Sequence, residues 1–135
     1  MTLDVRSAVL RSALALALAL ISVSCVFASP GAHYQQGLQA VSQGDWDTAR
    51  KEFDAAKDYL DARQRALEAQ QKSSTVSTSY ERAIKAINEE DWGTAYSHLD
   101  IVVKLSPGYK DAAQKVSQAQ QRLAETREAA LHLAL

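Results

Sequence analysis

Large apolar residues recur every three or four positions along the chain from residue 34 onward, which is the period of one face of an α-helix. Two consecutive segments show this pattern most clearly, the first with Tyr34, Leu38 and Val41 and the second with Trp46, Ala49, Phe53 and Ala56. The polar pair Gly44-Asp45 separates them and suits a tight turn, and Asp45 is a good cap for the following helix. The pattern predicts a helical hairpin.

The same pattern returns in the second half of the chain. GDWDTARKEF at residues 44–53 is echoed by EDWGTAYSHL at residues 90–99, so that Trp46 and Trp92 lie 46 residues apart. Asp91 is the matching cap, and the apolar positions of the second copy are Tyr80, Ile84, Ile87, Trp92, Ala95, Leu99 and Val102. One such hairpin cannot bury its apolar stripe alone, so we expect the two hairpins to stack.

A third helical segment follows each hairpin. The stretch from Tyr59 to Gln71 matches the stretch from Tyr109 to Gln121, at an offset of 50 residues. In the second copy Pro107-Gly108 stops the preceding helix. The first copy has no such stop, so its second and third helices are expected to run on with a kink near Asp58. Each copy thus supplies three helical segments.

Residues 73–79 are polar and β-branched without an apolar period, and they predict a loop or hinge in which Thr78 or Ser79 caps the next helix. The chain then divides into a first unit at residues 29–72, a Ser/Thr linker at 73–79, and a second unit with a C-terminal helix at 80–135. The predicted fold is all-α: a short α-solenoid of two helical hairpins with additional helices, behind an N-terminal signal helix.

Residues 1–28 have the features of a secretory signal peptide. Arg6 and Arg11 precede an apolar stretch at residues 13–28, which ends with the short side chains of Val26 and Ala28 before the expected cleavage site. An uncleaved membrane anchor is the alternative, although about 20 residues are needed for a span. Lipidation of Cys25 is a third hypothesis. We expect an exported protein that is periplasmic, extracellular or envelope-associated.

Composition narrows the function. The 135 residues are 47% hydrophobic and 23% charged, with a net charge of −1, and they form no basic patch that would bind nucleic acid. The histidines, His33, His98 and His132, are far apart in sequence and have no nearby cysteine to complete a zinc site. No glycine-rich phosphate loop or nucleophile elbow is present. We expect no enzymatic activity, no metal and no cofactor.

The repeated pattern resembles the tetratricopeptide repeat family. Gly44-Asp45-Trp46 and Glu90-Asp91-Trp92 match the Gly-Asp-aromatic turn of that family. Its signature core would comprise Gly37, Trp46, Ala49, Phe53, Ala83, Trp92, Ala95, Leu99 and Pro107. Ala40 and Ala86 depart from the pattern, and the units are longer than the usual repeat of about 34 residues.

The resemblance implies a module that binds a protein or peptide on the face formed by the first helices. That face would present Tyr34, Leu38, Val41, Ser42, Tyr80, Ile84, Ile87 and Asn88. Its apolar character favours a hydrophobic segment or a helix as partner, although the same residues could instead form the core. We expect an adaptor or assembly factor in a bacterial cell envelope, the bacterial origin being inferred from the Ala-Leu-rich signal. A self-associating scaffold or an accessory subunit of an envelope complex is the alternative.

Residues 114–135 continue the helical stripe and end in leucines at alternate positions. This C-terminal helix would either pack back on the second hairpin or form the contact with a partner or a second copy of the chain. We expect it to pack back. Membrane contact is expected only through the N-terminal segment, if that segment is uncleaved or lipidated.

Overall fold

The computed structural model of the protein describes residues 29–134, so the predictions for residues 1–28, including the signal peptide and Cys25, lie outside the described residues. Within that range the chain forms five helices and no strand, which confirms the all-α class. They are α1 Pro30–Gln43, α2 Trp46–Ala56, α3 Ala62–Asn88, α4 Trp92–Leu105 and α5 Ala112–Leu133. None of these five is both long and apolar enough to cross a membrane.

The predicted caps of α2 and α4 are confirmed. The Asp45 carboxylate accepts a hydrogen bond from the backbone N–H of Thr48 at 3.1 Å, and Asp91 accepts one from Thr94 at 3.0 Å. Each carboxylate thereby pairs one of the N–H groups that the first helical turn leaves free. Before Asp45, Gly44 ends α1 with φ 70°, a left-handed conformation that glycine adopts without strain.

The predicted linker at residues 73–79 is wrong, because these residues lie inside α3, which is continuous from Ala62 to Asn88. Val76 is 2% exposed and Ser79 is also buried, so this stretch packs against its neighbours instead of spanning a gap. Thr75 donates its hydroxyl to the carbonyl of Gln71 within the same helix. Burial of one helix face outweighs the modest helix propensity of serine and threonine.

The expected run-on of α2 into α3 near Asp58 is also wrong. Helix α2 ends at Ala56, and the turn at residues 57–61 contains two left-handed residues, Lys57 with φ 55° and Leu60 with φ 50°. Lys110, at the position equivalent to Leu60 in the second copy, is left-handed too, with φ 46°. The two units therefore turn alike although only the second contains Pro107-Gly108.

Each helix packs on the next one in the chain, and two apolar clusters result. The first contains Tyr34, Ala40, Ala49, Phe53, Ala56, Ala62, Ala66 and Ala69, and the second Val76, Ala83, Leu99, Val102, Ala112 and Ala119. Small residues let the helices approach closely. A Cβ at Gly37 would lie only 2.6 Å from the ring of Phe53, so α1 and α2 can meet at this distance only with glycine there.

Most of the predicted signature core is buried, with three exceptions. Trp46 and Trp92 are only partly buried, at the edges of the clusters. Pro107 is exposed, so its placement in the core is wrong. A proline in the turn after α4 ends that helix through its backbone and need not be covered.

The second half of the C-terminal helix does not pack back on the second hairpin, contrary to our expectation. All residues from 120 to 134 are exposed, including Leu131 at 63% and Leu133 at 89%. Helix α5 packs on α4 through its first half, where Ala112 and Ala119 are buried, and then continues beyond that contact. The leucines in its second half are thus uncovered in the described part of the chain.

A proline at residue 74 tests the continuity of α3. Ser74→Pro should lower the free energy of unfolding by about 3 kcal/mol or more, because proline removes a backbone N–H and clashes with the preceding turn. Ser74→Ala is the matched control and should leave stability unchanged or slightly higher, since Ser74 is exposed. Urea unfolding followed by circular dichroism measures both; a harmless proline would mean that residues 73–79 are not a helix.

Candidate functional site

The predicted partner face does not form one open apolar surface. Tyr34 is buried in the first cluster, where Leu38 and Val41 pack beside it. Tyr80 and Ile87 pack against the second cluster. Of the remaining predicted residues Ile84 is half-buried, and Ser42 and Asn88 are exposed. The large apolar side chains of this face therefore belong mainly to the core.

Each of the two tyrosines of the predicted face links two helical segments within its own unit. The Tyr34 hydroxyl donates to Asp61 at 2.5 Å, and the Tyr80 hydroxyl donates to Asp111 at 2.5 Å. In each case the aspartate directly precedes the third helical segment of its unit. The hydrogen bond thus links the first helical segment of a unit to the start of the third helical segment. The two units therefore share a polar contact that the sequence pattern does not reveal.

Each tyrosine–aspartate pair also has a cationic side chain, which lies one helical turn after the aspartate. Arg65 Nε lies 2.9 Å from Asp61, and Lys115 Nζ lies 3.4 Å from Asp111. The pKa of each carboxyl lies below its ordinary value of 3.8. The main cause is the hydrogen bond from the tyrosine hydroxyl, and the nearby cation lowers the pKa further. The hydrogen bond to Asp111 in turn raises the pKa of Tyr80 to about 12.

The two tyrosine–aspartate–cation groups predict that the protein loses stability in acid. The carboxyl pKa values are lower in the folded protein than in the unfolded chain, so the stabilisation is complete at neutral pH and disappears as the pH falls below 3.8. Tyr34→Phe combined with Tyr80→Phe should lower the melting temperature at about pH 7 and have a much smaller effect at about pH 2. Thermal unfolding at both pH values measures this; a pH-independent difference would contradict it.

The turn between α1 and α2 is joined to the end of α4. The indole N–H of Trp46 donates to the carbonyl of Leu105 at 2.8 Å, and the Ser106 hydroxyl donates to the carbonyl of Gly44 at 2.7 Å. A Cβ at Gly44 would lie 2.7 Å from the Leu105 carbonyl oxygen. These contacts confirm that the two hairpins meet, and they bring together residues far apart in the sequence.

A cavity of about 330 Å³, here called the junction cleft, lies where these turns meet. Residues 43–47 form one part of its lining, Ser73 and Val76 of α3 form a second, and the turn after α4 contributes Ser106, Gly108, Tyr109 and Lys110. Its volume falls at the lower end of the range of ligand sites in proteins. All three parts of its lining are held in place by helices or by the hydrogen bonds of the junction.

The lining of the junction cleft is polar and aromatic. Asp47 accepts a hydrogen bond from the Ser73 hydroxyl at 2.6 Å, and Asp45 stands two residues before it at the start of α2. Lys110 Nζ lies 5.1 Å from the centre of the Tyr109 ring. Trp46 supplies an aromatic surface. Such a mixture can bind a ligand that has both an apolar part and a polar group.

Sequence reasoning missed this site. Trp46 was expected only as a core residue, and Ser73 was expected in a linker. The repeat did contain a signal, because two stacked hairpins must bring a turn of one against a turn of the other. Which turns meet depends on the continuity of α3, and the Ser/Thr-rich stretch concealed that continuity.

The histidines and carboxylates form no cluster of three or more that could hold a metal ion in the described range. His33 Nδ1 lies 2.7 Å from a carboxylate oxygen of Glu52, in the first unit. His98 buries its Nδ1, which has no hydrogen-bond partner among the described residues. The two side chains thus have different surroundings.

Comparison of the chain with protein-family models, with curated proteins and with solved structures finds no match. The resemblance to tetratricopeptide repeats therefore rests on the residue pattern.

Proposed function

We propose that the protein is a non-catalytic protein–protein interaction module of tetratricopeptide type, a short α-solenoid that acts as an adaptor or assembly factor in a bacterial cell envelope. The observation that carries this proposal is the junction cleft, in which we place a segment of the partner protein. The export pattern of residues 1–28 supports the location in the envelope.

The solenoid assignment is supported by the order of packing. Each of the five helices contacts its neighbour in the chain, as repeat proteins stack their units. The tyrosine–aspartate hydrogen bond recurs in both units, at Tyr34–Asp61 and Tyr80–Asp111. Equivalent residues thus make equivalent contacts.

The junction cleft replaces the first-helix face as the binding site in this proposal. Tyr34 of that face is buried and Tyr80 donates its hydroxyl to Asp111, whereas the cleft brings the partly buried Trp46 and Tyr109 to one concave surface. Ligand sites favour concave surfaces between structural units. A site with rigid walls also loses little conformational entropy when a partner binds.

A bulky side chain at Gly108 tests the cleft. A Cβ at this position meets no atom within 4 Å, so Gly108→Trp should fold normally, and a tryptophan at this lining position should obstruct the cleft. Peptides selected from a random phage-displayed library on the immobilised protein should bind this variant at least about tenfold more weakly than the parent. Fluorescence anisotropy with labelled peptides gives the affinities.

Gly93→Trp is the matched control. Gly93 is exposed in the first turn of α4 and does not line the cleft. A Cβ added there would have Asp91 Oδ1 as its nearest neighbour, at 3.7 Å. The control should bind the peptides as the parent does. Equal binding by parent and Gly108→Trp, or a library that yields no binder, would reject the cleft as the partner site.

A second candidate function, a self-associating scaffold, is favoured by the second half of α5. Leu131 and Leu133 are exposed there, and Tyr96 of α4 together with Leu123 and Ala130 lines an open groove of about 510 Å³ beside them. A second copy of the chain could cover this apolar surface.

Light scattering after size exclusion tests self-association over a tenfold range of concentration. If α5 forms the contact, the protein should be a dimer or larger, and Leu131→Asp with Leu133→Asp should return it to monomer, since a buried carboxylate is costly. Leu67→Asp is the control, because Leu67 is a 62% exposed leucine on α3. A constant monomer would reject the scaffold.

A further inference from the structure

Two carboxylates of the junction cleft have oxygens left free for a ligand. Asp45 uses Oδ1 to accept from the N–H of Thr48, and Asp47 uses Oδ1 to accept from the Ser73 hydroxyl. The second oxygen of each receives no hydrogen bond from the described residues. Both side chains are exposed, so these oxygens can accept hydrogen bonds from a bound group.

The charge balance of this wall favours a cation. The N-terminus of α2 contributes about half a positive charge, which the two carboxylates outweigh. Lys110 is the cationic residue in the cleft lining, and its Nζ is held 4.5 Å from the centre of the Tyr80 ring and 5.1 Å from that of Tyr109. Lys72 is a second cation near this wall, with its Nζ 4.7 Å from the centre of the Trp46 ring. Neither Asp45 nor Asp47 forms an ion pair within the described part of the chain, so both carboxylates remain available to a cationic group of a ligand.

The remaining lining suits the stem of a long side chain. Trp46 and Tyr109, both partly buried, provide aromatic surface next to the carboxylates. Lysine and arginine place their methylene groups on such surface while the charged end reaches a polar partner. A volume of about 330 Å³ accommodates one long side chain with its adjoining backbone, and it is too small for a helix.

We propose that the junction cleft binds one lysine or arginine side chain presented by an extended segment of the partner protein. The cationic group lies against Asp45 and Asp47, and its methylene groups contact Trp46 and Tyr109. This inference rests on the proposed function and specifies the chemistry of the partner. A free diamine shares that chemistry, and the experiment separates the two sources.

Short capped peptides test the selectivity on the full chain. Acetyl-Gly-Ser-X-Ser-Gly-amide is compared with X as lysine, arginine, norleucine or glutamate, and binding is followed through the NMR signal of the Trp46 indole N–H. The lysine and arginine peptides should bind at least about tenfold more tightly than the norleucine peptide, and the glutamate peptide more weakly still. Equal binding of all four peptides would overturn the proposal. Cadaverine bound as tightly as the lysine peptide would overturn the assignment to a protein segment.

Removing the two charges tests the role of the carboxylates. Asp45→Asn with Asp47→Asn retains the helix cap and the acceptor for Ser73, so the fold should be kept. The double variant should lose at least about tenfold in affinity for the lysine peptide, together with its salt dependence. Asp54→Asn with Asp58→Asn changes the net charge equally on exposed carboxylates outside the cleft lining, and should bind as the parent.

The outcomes separate this inference from the proposed function. Suppose that library peptides bind Gly108→Trp more weakly but contain no lysine or arginine and bind the aspartate variants as they bind the parent. That result would reject the cation site and leave the cleft as a partner site. Library peptides unaffected by Gly108→Trp would reject the proposed function. Binding of the lysine peptide that depends on Asp45 and Asp47 would support both.

Discussion

The structure depends on α3 being a single unbroken helix. Its first half buries Ala66 and Ala69 in one cluster, and its second half buries Val76 and Ala83 in the other. At a rise of 1.5 Å per residue, its 27 residues span about 40 Å, and a stiff helix of that length sets the distance and rotation between the units. A flexible connection would leave both free, and the junction would not form at one defined geometry.

The fixed geometry gives one copy of a repeated motif a use that the other copy lacks. Asp45-Trp46 and Asp91-Trp92 both begin a helix, and both aspartates cap it. Trp46 additionally donates to Leu105 and borders the junction cleft. Trp92 packs against the second cluster, with the Arg122 guanidinium 5.7 Å from the centre of its ring. The proposed binding site therefore arises from the contact between units and not from the motif itself.

Close packing imposes the second constraint, and it explains why the predicted face became core. Alanine makes up most of the first cluster and half of the second, so few large side chains are available to fill them. Tyr34 fills part of the first cluster, with its ring 5.6 Å from that of Phe53, and can keep its hydroxyl there because Asp61 accepts from it. A periodic apolar pattern identifies such a residue as inward-facing or ligand-facing, but cannot distinguish the two.

By itself the sequence determined the all-α class, the hairpins around Gly44-Asp45 and Glu90-Asp91, the two aspartate caps and the small residue at Gly37, because these depend on local periodicity, capping and volume. The tertiary structure decided the rest: the helical state of residues 73–79, the turn at 57–61, the exposed end of α5 and the junction cleft. Each of these depends on contacts between distant segments. Burial of Val76 outweighs the weak local preferences of the serines and threonines around it, and only the folded chain brings Gly44 against Ser106.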